Sequence, residues 1–99
     1  MITKDQIMEQ LKTVIDPELN FDIVALGLVY DVRPKNDGIV EVDVTLTSPG
    51  CPLAPTIIQD VANAIRPLEG VKDVLVTIVW EPAWSIEKID PAIRLELGV

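Results

Sequence analysis

The run IVEVDVTLT, Ile39 to Thr47, limits the fold more than any other stretch. Val40, Val42, Val44 and Leu46 alternate with Glu41, Asp43, Thr45 and Thr47. A strict period of two is the mark of a strand with one packed face and one polar face. The valines belong on the packed side, so Thr45 and Thr47 are expected on the face opposite them. A strand needs a neighbour, and one lies just upstream. Leu28-Val29-Tyr30-Asp31-Val32 also alternates, which places Leu28, Tyr30 and Val32 on one side. Between the two lies Pro34-Lys35-Asn36-Asp37-Gly38, whose Asp-Gly pair supplies the positive φ of a tight turn. The two strands are therefore expected to form an antiparallel hairpin.

The rest of the chain supplies helices and one more strand. Ile7, Leu11 and Val14 recur at helical spacing with Met8 and Ile15 beside them, behind a Thr3-x-x-Gln6 capping box. This first helix should end near Ile15, because Pro17 pushes Asp16 out of the α region. Leu53, Ile57, Ile58, Val61, Ala62 and Ile65 mark a second helix, stopped by Pro67 and followed by a turn at Gly70. Val71 to Trp80 reads as a third strand, with Val74, Val76, Ile78 and Trp80 on one face. Leu75, Thr77 and Val79 on the other face suggest a strand covered on both sides. A short helix over Pro91–Leu97, capped by Asp90, closes the series. The order α-β-β-α-β-α predicts an α+β fold, a small mixed three-stranded sheet with helices packed on it. All 99 residues are expected to form a single domain.

Charge and composition exclude several functions. With eight Lys and Arg against 16 Asp and Glu the net charge is −8, which repels phosphate backbones and disfavours nucleic acid. No apolar run approaches the roughly 20 residues of a membrane span. The first residues carry Asp5 and Glu9 where a secretory leader needs positive charge, so a cytoplasmic location is expected. Histidine is absent, which removes the commonest general base and every Cys-His or Ser-His arrangement within the chain.

The one cysteine is placed unusually. Cys51 stands in TSPGCPLAP, Thr47 to Pro55, among three prolines and a glycine. Pro52 suits the first position of the second helix, which makes Cys51 its N-cap. Pro52 and Pro55 have no N–H, so the amides of Leu53 and Ala54 are left to converge on one sulfur. The helix dipole adds about half a positive charge there. Both effects favour thiolate. A thiolate is a nucleophile, a redox thiol or a metal ligand. The first lacks a histidine base and the second lacks a Cys-x-x-Cys partner. Ligation of iron, an iron–sulfur cluster, zinc or copper(I) fits best. One sulfur does not close a four-ligand site, so further ligands would come from a second copy, as in a homodimer, or from a client protein. The plain alternative is a small buried apolar side chain.

Two other stretches attract interest. Asp16-Pro17-Glu18-Leu19 is a turn or helix start, the device used again at Asp90-Pro91. Its alternative use is to bring the carboxylates of Asp16 and Glu18 beside the thiol, as iron ligands or proton acceptors. Trp80 and Trp84 bracket Glu81-Pro82-Ala83. They are either core and lid residues or a patch for docking partners, where aromatics are favoured. Gly27 either lets a strand entry approach another backbone or acts as a hinge.

Taken together, IDPELNFDIVALGLVYDV, TLTSPGCPLAPTI and VTIVWEPAW, in that order, closely resemble the SufT/PaaD-like family of metal–sulfur cluster biosynthetic proteins. The resemblance runs from the first helix to the tail. It implies an α+β domain that matures iron–sulfur proteins, working with the assembly machinery and client apoproteins. It also implies a site at Asp16, Glu18, Leu19, Thr47, Ser48 and Cys51. Family members often carry two adjacent threonines where this chain has Thr47-Ser48; serine keeps the hydroxyl and loses a methyl contact. There is no Gly-x-x-x-x-Gly-Lys loop, so nucleotide chemistry would belong to a partner. The expectation is a non-catalytic factor that holds iron or a cluster transiently at Cys51 and passes it on. The competing expectation is a scaffold that docks assembly proteins and clients without binding metal.

Overall fold

The computed structural model describes residues 2–17, 19–35, 37–47 and 54–98. Its frame is a three-stranded sheet in the order β1-β2-β3, formed by Val29–Pro34, Ile39–Val44 and Asp73–Ile78. β1 pairs with β2 antiparallel, and β2 pairs with β3 parallel, Val44 lying opposite Ile78. The sheet is therefore mixed, and the fold is α+β as expected. The hairpin turn closes through Lys35 N–H to Ile39 O at 2.8 Å, with Gly38 at φ 86°.

Two helices cover one face. α1, Lys4–Leu11, opens on the capping box: Gln6 N–H donates to Thr3 Oγ1 at 3.2 Å and Thr3 N–H donates to Gln6 Oε1 at 2.9 Å. α2, Ala54–Ile65, turns Ile57, Val61, Ala62 and Ile65 inward. α1 packs on β1 and on α2, while α2 packs on β3. Between helices and sheet lie Val40, Val42 and Val44 with Ile7, Leu11 and Ile57, all essentially without exposure. α3, Pro91–Leu97, follows a 3-10 turn at Ile86–Lys88; Asp90 Oδ1 accepts from Ala92 N–H at 2.9 Å.

Four expectations are corrected. α1 stops at Leu11, four residues before Ile15. There Lys12, Thr13 and Val14 donate to carbonyls three residues back, and the Thr13 hydroxyl takes Gln10 O at 2.7 Å, so the helical ladder tightens and ends. Ile15 instead forms a bridge with Asp22 and stays half-exposed. Tyr30 is not buried with Leu28 and Val32. The register shifts between Val29 and Asp31, and the Tyr30 hydroxyl donates to Pro82 O at 2.7 Å. β3 is not covered on both sides: as an edge strand it leaves Leu75 58% exposed. Thr45 is not a solvated residue of a polar face, being only 1% exposed.

Candidate functional site

Strand direction fixes where the interesting segments meet. A parallel β2–α2–β3 crossover leaves β2 and β3 with their carboxyl ends at the same edge, and α2 must start there to run back. Val79 N–H donates to Val44 O at 2.8 Å and Thr45 N–H to Leu28 O at 2.8 Å, which extends the ladder beyond all three strands at that edge. Three segments therefore leave one edge: the entry to β1 through Gly27 and Leu28, the exit from β2 toward Cys51, and the exit from β3 through Trp80 to Trp84. In open α/β arrangements ligands bind outside the carboxyl ends of the strands.

The tail straps this edge. Besides the Tyr30–Pro82 bond, Trp84 Nε1–H donates to Leu26 O and Asp90 N–H to Ala25 O, each at 2.8 Å. Gly27, at φ 72°, lets the strap come close: a Cβ there would collide with Lys88 O. The Lys88 ammonium lies 5.2 Å from the Tyr30 ring centre, a cation–π contact. An open groove of about 580 Å³ lies between strap and sheet, lined by Tyr30, Asp31, Asp43, Val79, Glu81 and Lys88 among others. Burial pushes the Tyr30 phenol pKa up.

Beside the groove the polar face of the hairpin is an ion network. Arg33 donates to Asp31 at 2.7 Å, to Glu41 at 3.0 Å and to both oxygens of Asp43 at 2.9 and 3.0 Å. The hydrogen bond from Arg33 holds the Asp31 carboxyl below the ordinary carboxylate range, and the three carboxylates hold Arg33 above its own.

The expected site residues fall into three groups. Asp16 and Leu19 share one tight turn. Asp16 is 5% exposed, its carboxylate accepts from Leu19 N–H at 3.2 Å, and its backbone pairs with Phe21 O and Asn20 N–H. Asn20 takes the left-handed φ of 62° that closes the loop. Asp16 thus caps its own turn. Leu19 is half-buried against the core. Thr47 is half-buried where the chain leaves β2. Trp80 is 44% exposed at the end of β3, whereas Trp84 packs on the core as part of the strap. Glu18, Ser48 and Cys51 lie outside the described residues, as does the N-cap of α2. Among the described residues no group of three or more Asp, Glu, Cys or His is placed to hold a metal ion.

Sequence reasoning missed three participants at this edge. Thr45 has a buried hydroxyl without a hydrogen-bond partner among the described residues. Tyr30 and Lys88 link sheet to strap. No local signal marks Tyr30 or Lys88, because each meets a partner more than 40 residues away.

The profile of one protein family, described as iron–sulfur cluster assembly protein, matches residues 4–78. The chain belongs to this family. It is 49% identical over 96 residues to the Fe-S protein maturation auxiliary factor YitW of Bacillus subtilis, covering 97% of this chain and 94% of that one. With the Fe-S protein maturation auxiliary factor SufT of Staphylococcus aureus it shares 45% identity over 86 residues, 87% of this chain and 98% of the relative. Its fold is similar to a domain of unknown function from Bacillus anthracis, with a TM-score of 0.91 at 38% identity over 97% of this chain and 92% of the other. The expected kinship with the SufT-like family therefore holds. The matched span takes in α1 to β3 and ends before the strap, so the strap lies outside the family profile.

Proposed function

We propose that this member of the iron–sulfur cluster assembly protein family is a non-catalytic maturation factor. It takes iron or an iron–sulfur cluster as transient cargo through Cys51 and delivers it to client apoproteins. The names of its relatives, maturation auxiliary factors, support the biological role. The observation that carries the chemistry is topological. Residues 45–47 leave β2 at the carboxyl edge of a parallel pair, Ala54 opens the described part of α2, and Cys51 stands between them in the sequence. A soft thiolate is the right first ligand for iron or a cluster. In this reading Thr47 and Ser48 supply hydroxyl donors beside the sulfur, and Asp16, with Leu19, organises the turn that presents Glu18 as a harder ligand or proton acceptor. The remaining ligands come from the assembly machinery, a second copy or the client.

A transfer assay tests the reading. Protein loaded anaerobically with iron and sulfide is mixed with an apo iron–sulfur dehydratase, and recovered activity is followed with time. The parent chain should restore activity and Cys51→Ser should not. Equal restoration by both would contradict it. That outcome would favour the second reading, a docking scaffold, for which the exposed Trp80 and Leu75 speak.

A further inference from the structure

The two edges of the sheet are finished differently. β1 carries a register shift between Val29 and Asp31 and ends on Arg33-Pro34. A bulge, a charge and a proline are standard devices that stop an edge from pairing with another chain. β3, Asp73-Val74-Leu75-Val76-Thr77-Ile78, has neither lysine, proline nor register shift. Its inward groups are odd-numbered: Asp73 N–H reaches Gly38 O and Val79 N–H reaches Val44 O. Alternation then turns the N–H groups of Val74, Val76 and Ile78 to the free edge. Asp73 Oδ1 accepts from Val74 N–H at 2.9 Å, which blunts the start of the edge. Among the described residues no other segment bonds to Val76 or Ile78 on that side.

We propose that the free edge of β3 at Val76 and Ile78 receives an extended basic segment of a partner protein as a fourth strand. Main-chain bonds to Val76 and Ile78 would supply affinity. Leu75 on the outer face and Trp80 just beyond the edge would supply apolar anchors. Charge selects the occupant. From Asp73 to Trp84 the chain carries Asp73 and Glu81 and no cation, Lys72 being the one basic residue at the entry. Asp31, Glu41 and Asp43 lie on the other two strands and are already paired with Arg33, Lys4 and Lys35, so the attraction at this edge comes from Asp73, Glu81 and the net charge of the chain. A second copy would bring another net −8 to this edge, whereas a lysine- or arginine-bearing strand meets complementary charge. The inference gives the partner role proposed above a place and a chemistry. It does not involve Cys51, so cluster binding and strand docking fail separately.

Amide hydrogen exchange on the full-length, isotope-labelled chain tests it. The probe is an acetylated, amidated heptapeptide alternating lysine and valine; the control replaces lysine by glutamate. At a lysine-peptide concentration about ten times its Kd, exchange at Val76 and Ile78 should slow roughly tenfold, as expected when about nine-tenths of the protein is bound. Raising salt to about 0.5 M should weaken the effect. The glutamate peptide should do nothing. Val76→Pro removes an outward N–H, which an edge tolerates, and should abolish the protection while α2 amides keep theirs. Leu75→Lys, fully foldable at an exposed site, should weaken binding of the lysine peptide by charge repulsion. Cys51→Ser should bind like the parent. No protection by either peptide, equal protection by both, or protection that grows with protein concentration alone would each overturn the proposal, the last by showing self-pairing.

Discussion

Val42 looks into α1 and α2, while its neighbours Glu41 and Asp43 look out onto Arg33. The two faces of one sheet are thus held by different physics. The helix-covered face is dry along its whole length. The outer face is an ion network in water over most of its length; toward the carboxyl edge the strap bonds to Tyr30 and Leu26, and Thr45 is buried. The entry to β1, the exit from β2 and the Trp80–Trp84 tail all lie at the carboxyl edge of the sheet. A site there can be shielded from water on one side and still be reached from the other.

The largest effect should come from the dry face. Ile57→Ala deletes a buried side chain of α2 and should cost about 2–5 kcal/mol in denaturant unfolding, by lost transfer energy and a residual cavity. An effect below 1 kcal/mol would mean that this face can collapse around the gap. Next comes the strap. Gly27→Ala forces a side chain into φ 72° and against Lys88 O, which should cost about 1–3 kcal/mol and release the strap. Near-ultraviolet circular dichroism of Trp84 reads the release directly.

Thr45→Val should have the opposite sign. Removing a buried hydroxyl that has no partner among the described residues should leave stability unchanged or raise it by about 1 kcal/mol. A clear loss would show that the hydroxyl has a partner beyond the described residues, which would sharpen the contrast between the faces.

The ion network should show itself in acid. The Asp31 pKa lies below its unfolded value, so its contribution is fully present above the unfolded pKa of about 3.8 and is lost as pH falls through the folded one. Arg33→Met should therefore lower stability at neutral pH, more at low salt than high, and flatten the loss below about pH 4. An unchanged acid profile would mean that the network holds nothing. The smallest effect belongs to the bare edge: Leu75→Lys should stay within about 0.5 kcal/mol, because that side chain is already in solvent.

Much of this architecture is legible in the sequence because it is decided locally. The Thr3–Gln6 box, the Asp90-Pro91 cap and the valine alternation each need only neighbours within four residues, and each is realised. What escaped was decided at a distance. Whether Leu75 is covered depends on β3 being an edge, which strand pairing settles and alternation does not. The place of Tyr30 depends on Pro82, 52 residues on. In the candidate site the Asp16 turn was readable, because Asp-Pro encodes a cap and Asp16 indeed holds Leu19 N–H. Its relation to Cys51 was not, since that is set by tertiary placement and not by neighbours in sequence.

Iron content tests the central claim most directly. The parent chain and Cys51→Ser are each incubated anaerobically with ferrous iron and sulfide, passed through a desalting column, and assayed for protein-bound iron and visible absorbance. The account predicts iron retained by the parent and lost from the serine variant, with both giving the same far-ultraviolet circular dichroism. Equal retention by the two would contradict it.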